Sequence, residues 1–384
     1  MKRFLIKCSI FSMPLVVIFT PALIHLETHR ELESIDGMAS SNQHNGALIG
    51  LAYTDPMHLV KHAVLKNRQP DVIALGTSRV LQFRDFFFLE PNSFYNCGRS
   101  VTRIQDLRAF TAAYPGKKPK IIILGLDQIS FNVDDEDLSE KVRSYKDKDS
   151  SYGIRLTKGT KEFLDTLKDG DLETGSPSPT TEGFIGKNAR LHHDGYRADG
   201  SYCYGRRMRE LSAPSIYEFT NTISRINKGI RKGRGRFAPA QEINKNAIQE
   251  FADFLEECKE MNIHVVAFLP PYASKVYDRF KEDSDKYPHI FDLYDYLKPI
   301  CQAQGMSFFD YSDIRSLGAN DFETIDGFHG SEVCYLKLLK QLAINDKILS
   351  PYVKESSLDS FMANTFSARQ IVKEIAEADP RIPN

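Results

Sequence analysis

The stretch Asp71-Val72-Ile73-Ala74-Leu75-Gly76-Thr77-Ser78-Arg79 restricts the fold more than any other part of the chain. It is an apolar run with a β-branched pair, cut short by a glycine and then a serine, and it reads as a buried strand ending at a tight turn. Two more runs of this kind, Lys120 to Leu126 and Ile263 to Leu269, have no polar alternation and so no face for water. Strands buried on both sides need helices above and below. Shorter strands are expected at Ser93–Cys97 and Ser307–Tyr311. Helical spacing of apolar residues is found over Met57–Asn67, Thr102–Ala113, Glu242–Met261, Phe291–Gln304 and Ser331–Ala343. The expected fold class is α/β, a doubly wound and mostly parallel five-stranded sheet.

In an open α/β sheet, ligands bind in the crevice beyond the carboxyl ends of the strands, so Ser78 stands where chemistry is usually done. Gly and Ser also end strands for turn reasons alone. A second segment, Asp326-Gly327-Phe328-His329, sets a carboxylate and an imidazole three positions apart. A serine hydroxyl becomes a useful nucleophile when an imidazole takes its proton and a carboxylate orients that imidazole. The two segments supply all three groups, although Asp-Gly is also an ordinary turn dipeptide.

A serine just after the first strand, paired with Asp-x-x-His near the end of the domain, resembles the SGNH (GDSL-type) hydrolase superfamily. Within it the chain is similar to the membrane-anchored branch of D-alanine transfer and alginate O-acetylation proteins, which work beside membrane-bound O-acyltransferases. The resemblance implies a flavodoxin-like sheet and a catalytic triad of Ser78, His329 and Asp326. It also implies oxyanion donors from the serine N–H, a glycine N–H after the second strand and an asparagine after the third. In Asn96-Cys97-Gly98-Arg99-Ser100-Val101-Thr102, Gly98 matches the first glycine of the family's loop and Val101 falls where its second is expected. In Gly125-Leu126-Asp127-Gln128, Asp127 replaces the asparagine, and an ionised carboxylate only accepts hydrogen bonds. Arg79 either contacts an anionic substrate or caps the following helix. Tyr272, after Leu269-Pro270-Pro271, either offers its hydroxyl to the pocket or simply follows a strand stop.

The rest of the chain sets the expected organisation. Residues 1–26 carry Lys2, Arg3 and Lys7 before an apolar stretch interrupted by Pro14 and Pro21, read as an N-terminal transmembrane anchor or a cleaved signal. Either sends the remainder to the extracytoplasmic, periplasmic side. Residues 27–56 form a stalk or arm, 57–350 the SGNH hydrolase-like domain, and 351–384 a charged helical tail. Between the third and fourth strands, the insertion 131–240 contains a Ser-Pro repeat at 175–179 and a basic tract at 228–236. The insertion reads as a lid or recognition element, its Ser-Pro portion equally as a surface loop. The basic tract is either a surface for anionic lipid or acidic polymer or a solvated loop.

With Lys+Arg 50 against Asp+Glu 51, no global field attracts nucleic acid. His192-His193-Asp194 lacks further ligands at metal spacing, and the six cysteines form no C-x-x-C pair, so no metal and no cofactor are expected. The expected function is a membrane-anchored serine esterase or O-acyltransferase acting on a cell-envelope glycan or acylated polymer. The alternative is an accessory subunit that binds glycan or a membrane-bound O-acyltransferase.

Overall fold

The computed structural model of the chain describes residues 19–133, 152–170, 183–210, 215–233, 235–240 and 242–374, with Phe4, Met13 and Tyr145. Its strands in chain order are β1 (Leu48–Ile49), β2 (Val72–Gly76), β3 (Phe94–Gly98), β4 (Ile121–Gly125), β5 (Phe184–Ile185), β6 (Asp194–Tyr196), β7 (Tyr202–Tyr204), β8 (His264–Leu269) and β9 (Ser307–Asp310). Five of them form one parallel sheet in the order β3-β2-β4-β8-β9. The chain moves outward from β2 to β3, then crosses back to β4, which opens a crevice between the ends of β2 and β4.

Side chains of these strands alternate between two cores. Ile73, Leu75, Ile122, Leu124 and Val265 pack with helices Met57–Arg68, Gln105–Ala113, Lys245–Glu260 and Leu293–Ala303. Val72, Ala74, Ile121, Ile123 and Val266 pack on the other face with helices Glu332–Asn345 and Glu355–Ala363. All fifteen residues of β2, β3 and β4 are buried, which explains the uninterrupted apolar reading of β2 and β4.

Element ends move where side chains intervene. The helix expected from Thr102 begins at Gln105, because the Asp106 carboxylate accepts from the Thr102 and Arg103 N–H groups and holds them outside it. The helix expected from Glu242 begins at Lys245, capped by Asn244, whose side chain accepts from Ala247 N–H.

Two expectations about the periphery are corrected. Residues 27–56 are not a stalk: they include helix Ile35–Asn45 and β1, which lies between β5 and β6 in a second, four-stranded sheet, β5-β1-β6-β7. The arm is thus built together with the insertion. Among the described residues of the tail the one α-helix is Glu355–Ala363, after which residues 367–374 run back under the Asp326–His329 loop. There the fully buried Arg369 donates to Thr324 O at 3.0 Å, and Glu374 accepts from Arg84 and Arg197. The Ser-Pro repeat and residues 1–18, apart from Phe4 and Met13, lie outside the described residues. Among the described residues, no helix is long and apolar enough to cross a membrane, and all five described cysteines are free and buried.

Two buried ionisable groups join these layers. Glu31 accepts backbone N–H bonds from Ala52 and Lys187, clamping the arm to the insertion. Lys61 donates to the carbonyls of Gly98 and Gly200 at 2.7 Å each, tying β3 to the same insertion. Burial pushes Glu31 up from 4.5 to about 7 and pulls Lys61 down from 10.5 to about 7. Between pH 4.5 and 7 the folded chain holds the Glu31 proton more tightly than the unfolded chain, so Glu31 makes stability fall as pH rises. Between 7 and 10.5 the unfolded chain holds the Lys61 proton more tightly, so Lys61 makes stability rise. Urea denaturation across this range should therefore show Glu31→Gln removing a decline below pH 7 and Lys61→Met removing a gain above it.

Candidate active site

Gly76, Gly98 and Gly125 stand side by side at the carboxyl ends of β2, β3 and β4, in register across the sheet. Onto this row sits Val80, from the 3-10 turn Ser78–Val80. A Cβ on Gly125 would come within 2.3 Å of Val80 Cγ1, and one on Gly98 within 2.9 Å of Val80 Cγ2. Three glycines in a row let the turn settle directly on the sheet edge. That seat fixes where Ser78, the turn's first residue, projects into the crevice. Thr77 caps the turn through its hydroxyl, which accepts from Arg79 N–H.

The Asp326–His329 loop arrives from 251 positions away. Ser78 Oγ lies 2.9 Å from His329 Nε2, and His329 Nδ1 lies 2.8 Å from Asp326 Oδ2. A carboxylate accepts only, so Nδ1 carries the proton and Nε2 offers its lone pair to the serine hydroxyl. The other oxygen of Asp326 accepts the N–H groups of Phe328 and His329 at 2.9 and 2.7 Å. Burial alone would raise the Asp326 carboxyl. His329 and these backbone donors outweigh it and hold the group well below the usual carboxylate range. Gly327 makes the tight loop possible with φ of +83°, a left-handed conformation that side chains disfavour. Backbone bonds from Ile325 N to His329 O and from Ala273 N to Gly327 O close it against the body of the domain.

Arg79 does neither of the things considered for it. It is 2% exposed, faces away from solvent, and joins the turn after β4, the end of β8 and the loop that carries His329. Its guanidinium donates to Gln128 Oε1 at 2.8 Å, to Asp127 at 3.3 Å, and to the carbonyls of Pro270 and Pro271 at 2.9 and 2.8 Å. Its flat faces meet the rings of Tyr272 and Phe328, 4.2 and 4.4 Å from the ring centres. Tyr272 is correspondingly fully buried and offers nothing to the pocket.

The expected oxyanion donors are also revised. Gly98 N–H is taken by Asn96 Oδ1 at 2.8 Å. Val101 has its side chain in the core, which leaves its backbone as the only polar group it can offer. Asp127 accepts from Arg79 and from the Thr77 hydroxyl, so it acts as an acceptor and not as a stand-in for a donating amide. Ser78 N–H leads its turn, where the first N–H groups have no partner within the turn itself.

Ser78, His329 and Asp127 line an open pocket of about 790 Å³. Several of its wall residues were not singled out by sequence reasoning: Arg99 from the loop after β3, and Tyr202, Tyr204, Arg206 and Arg207 from the insertion. Arg236, from the basic tract, joins them and stacks over Phe328 at 5.5 Å. The signal available in the sequence was Tyr202-x-Tyr204-Gly205-Arg206-Arg207, an alternating aromatic run leading into an arginine pair. His192 and His193 stand on no ligand cluster; among the described residues no group of three or more His, Cys, Asp or Glu could hold a metal. Comparison with family models, curated proteins and solved structures finds no match for the chain, so the reading of the site rests on its geometry.

Removing Arg79 strands the largely buried Asp127 carboxylate and leaves two proline carbonyls without their donor. Arg79→Met should lower unfolding free energy by about 3–5 kcal/mol in urea denaturation. Arg79→Lys should recover only part of this, because one ammonium cannot match the planar fork.

Proposed function

We propose that the chain is an SGNH-type serine esterase or O-acyltransferase, anchored in the cytoplasmic membrane by its N-terminus. Its catalytic domain would face outward and act on acyl esters of a cell-envelope glycan. The observation that carries this reading is the continuous relay from Ser78 Oγ to His329 Nε2 and from His329 Nδ1 to Asp326, at 2.9 and 2.8 Å. Ser78 Oγ attacks the ester carbonyl carbon while its proton passes to His329 Nε2. The tetrahedral oxyanion collapses, the alcohol leaves with that proton, and an acyl-serine remains. Water or a sugar hydroxyl then attacks the acyl carbon, giving its proton to His329, and Ser78 is released. Asp326 holds the ring tautomer and stabilises the imidazolium in both steps. The relay needs no cofactor for this chemistry.

A specific observation favours a second reading, an accessory subunit of weak or no activity that binds glycan or docks on a membrane-bound O-acyltransferase. Asp127 is held as an acceptor and Gly98 N–H is occupied, which leaves the oxyanion to backbone N–H groups such as that of Ser78. Each missing donor lowers turnover by about 10²–10³-fold.

Acetyl release from p-nitrophenyl acetate by the full chain separates the two. Ser78→Ala and His329→Ala should each reduce kcat by on the order of 10³-fold or more, with folding retained. A wild-type rate no faster than that of either variant would remove the catalytic reading and leave the accessory one.

A further inference from the structure

Arg84 lies in the segment that leads away from the Ser78 turn and is buried among carboxylates from three other parts of the chain. Its guanidinium donates to Asp199 of the insertion at 3.0 Å, to Glu332 at the start of the helix after His329, and to Glu374 of the returning tail at 3.1 Å. Arg197 of the insertion donates to Glu374 at 2.9 Å and lies 3.4 Å from Glu332. Two arginines and three carboxylates thus tie together the serine's segment, the insertion, the imidazole's helix and the tail. None of the five belongs to the Ser78–His329–Asp326 relay. Arg84, Asp199 and Glu332 are each out of water, so each needs the opposite charges beside it.

The tail also touches both ends of the loop that presents His329. At the start of the loop, Arg369 donates to Thr324 O at 3.0 Å, and the Thr324 hydroxyl accepts the Gly327 N–H at 3.0 Å. At its end, the Ser331 hydroxyl lies 3.4 Å from Ala368 O, and the Ile371 N–H bonds Glu332 at 3.2 Å. Thr324 and Gly330 face each other as an antiparallel bridge, so these contacts grip the loop at its base. Residues 367–374 are therefore a strap. One end lies on the His329 loop, and the other, Glu374, lies on the arginine that follows the Ser78 turn. Among the described residues, Glu374 is the one strap side chain bonded to Arg84 and Arg197. It is also the surplus charge of the cluster. Without it two arginines still face two carboxylates, and its own side chain is 30% exposed, so removing it strands no buried ion.

Resting on the esterase reading of this site, we infer that Glu374 is a positioning residue, which closes a strap that keeps the His329 loop at bonding distance from Ser78. It touches no reacting group and acts through Arg84 on one side and the strap's grip on the loop on the other. Arg79 meets the same loop only through the ring of Phe328, in its middle, and leaves its two ends to the strap. A reacting group displaced by about 1 Å can lose on the order of 10²-fold in rate, which is how so remote a contact reaches the chemistry.

Three substitutions in the full chain test this. Glu374→Gln removes the charge, Glu374→Lys sets a third cation against two carboxylates and expels the end of the strap, and Glu374→Asp keeps the charge on a shorter arm. Well below Tm, kcat for p-nitrophenyl acetate should fall about threefold in the Gln variant and roughly tenfold or more in the Lys variant, with KM unchanged and part of the loss recovered by Asp. Phosphonylation of Ser78 by a fluorophosphonate should slow in the same order. Hydrogen–deuterium exchange in the Lys variant should rise in peptides spanning residues 324–330 and stay level in β4. With an active wild type, a kcat that is unchanged, or that falls only with the folded fraction, overturns the positioning role. Exchange is read whether or not the chain turns over. A wild type without turnover or labelling removes the esterase reading, and faster loop exchange in the Lys variant then still sustains the strap. Loop exchange equal to wild type overturns it.

Discussion

A fully buried guanidinium, that of Arg79, is the constraint on which this end of the molecule depends. A charge taken out of water is tolerated only when partners surround it, and Arg79 has them at both terminal nitrogens and over its flat faces. Those partners come from the turn after β4, from the end of β8 and, through the ring of Phe328, from the loop that carries His329. Because Arg79 is the residue after Ser78, satisfying its charge places Ser78 relative to His329. The glycine row beneath the turn does the complementary work from below, since only a flat sheet edge lets Val80 settle and Ser78 project. Packing sets the height of the serine above the sheet, and the buried charge sets its bearing toward the imidazole.

Around this centre the chain adds layers that are structurally interdependent. The arm and the insertion complete one another's small sheet, and neither has enough strand of its own to stand alone. The returning tail fixes the Asp326–His329 loop from behind, with Arg369 on Thr324 and Ile371 N–H on Glu332, the first residue of the helix that follows His329. The parallel sheet positions Ser78, His329 and Asp326, and the insertion supplies most of the charged wall of the pocket beside them. The serine–imidazole pair and the pocket wall are thus carried by different parts of the chain, a division common where loops ride on a rigid scaffold.

Much of the central sheet was legible in the sequence because strands buried on both faces write themselves as unbroken apolar runs. Ser78, Asp326 and His329 were legible because each sits in a short segment whose turn residues mark a strand end or a tight loop. Arg79 was not, since its sequence neighbours show where its backbone goes and say nothing of where three distant segments will meet its guanidinium. Gly98 looked like a free donor because its competitor, the Asn96 side chain, is two residues away and gives no pattern. The second sheet escaped notice because β1 and β5 are two residues long, too short for alternation to register. Arg206, Arg207 and Arg236 were hidden in a segment without β/α rhythm, and only the fold brings them to one wall with Arg99 from the loop after β3.

The claim that joins these observations is that Ser78 is a nucleophile activated by His329. Incubating the full chain with a fluorophosphonate and locating the adduct by peptide mass spectrometry tests it without a known substrate. A single phosphonyl group on Ser78, absent from Ser78→Ala and formed far more slowly in His329→Ala, is the result expected. An unlabelled Ser78, or labelling indifferent to His329, would contradict it.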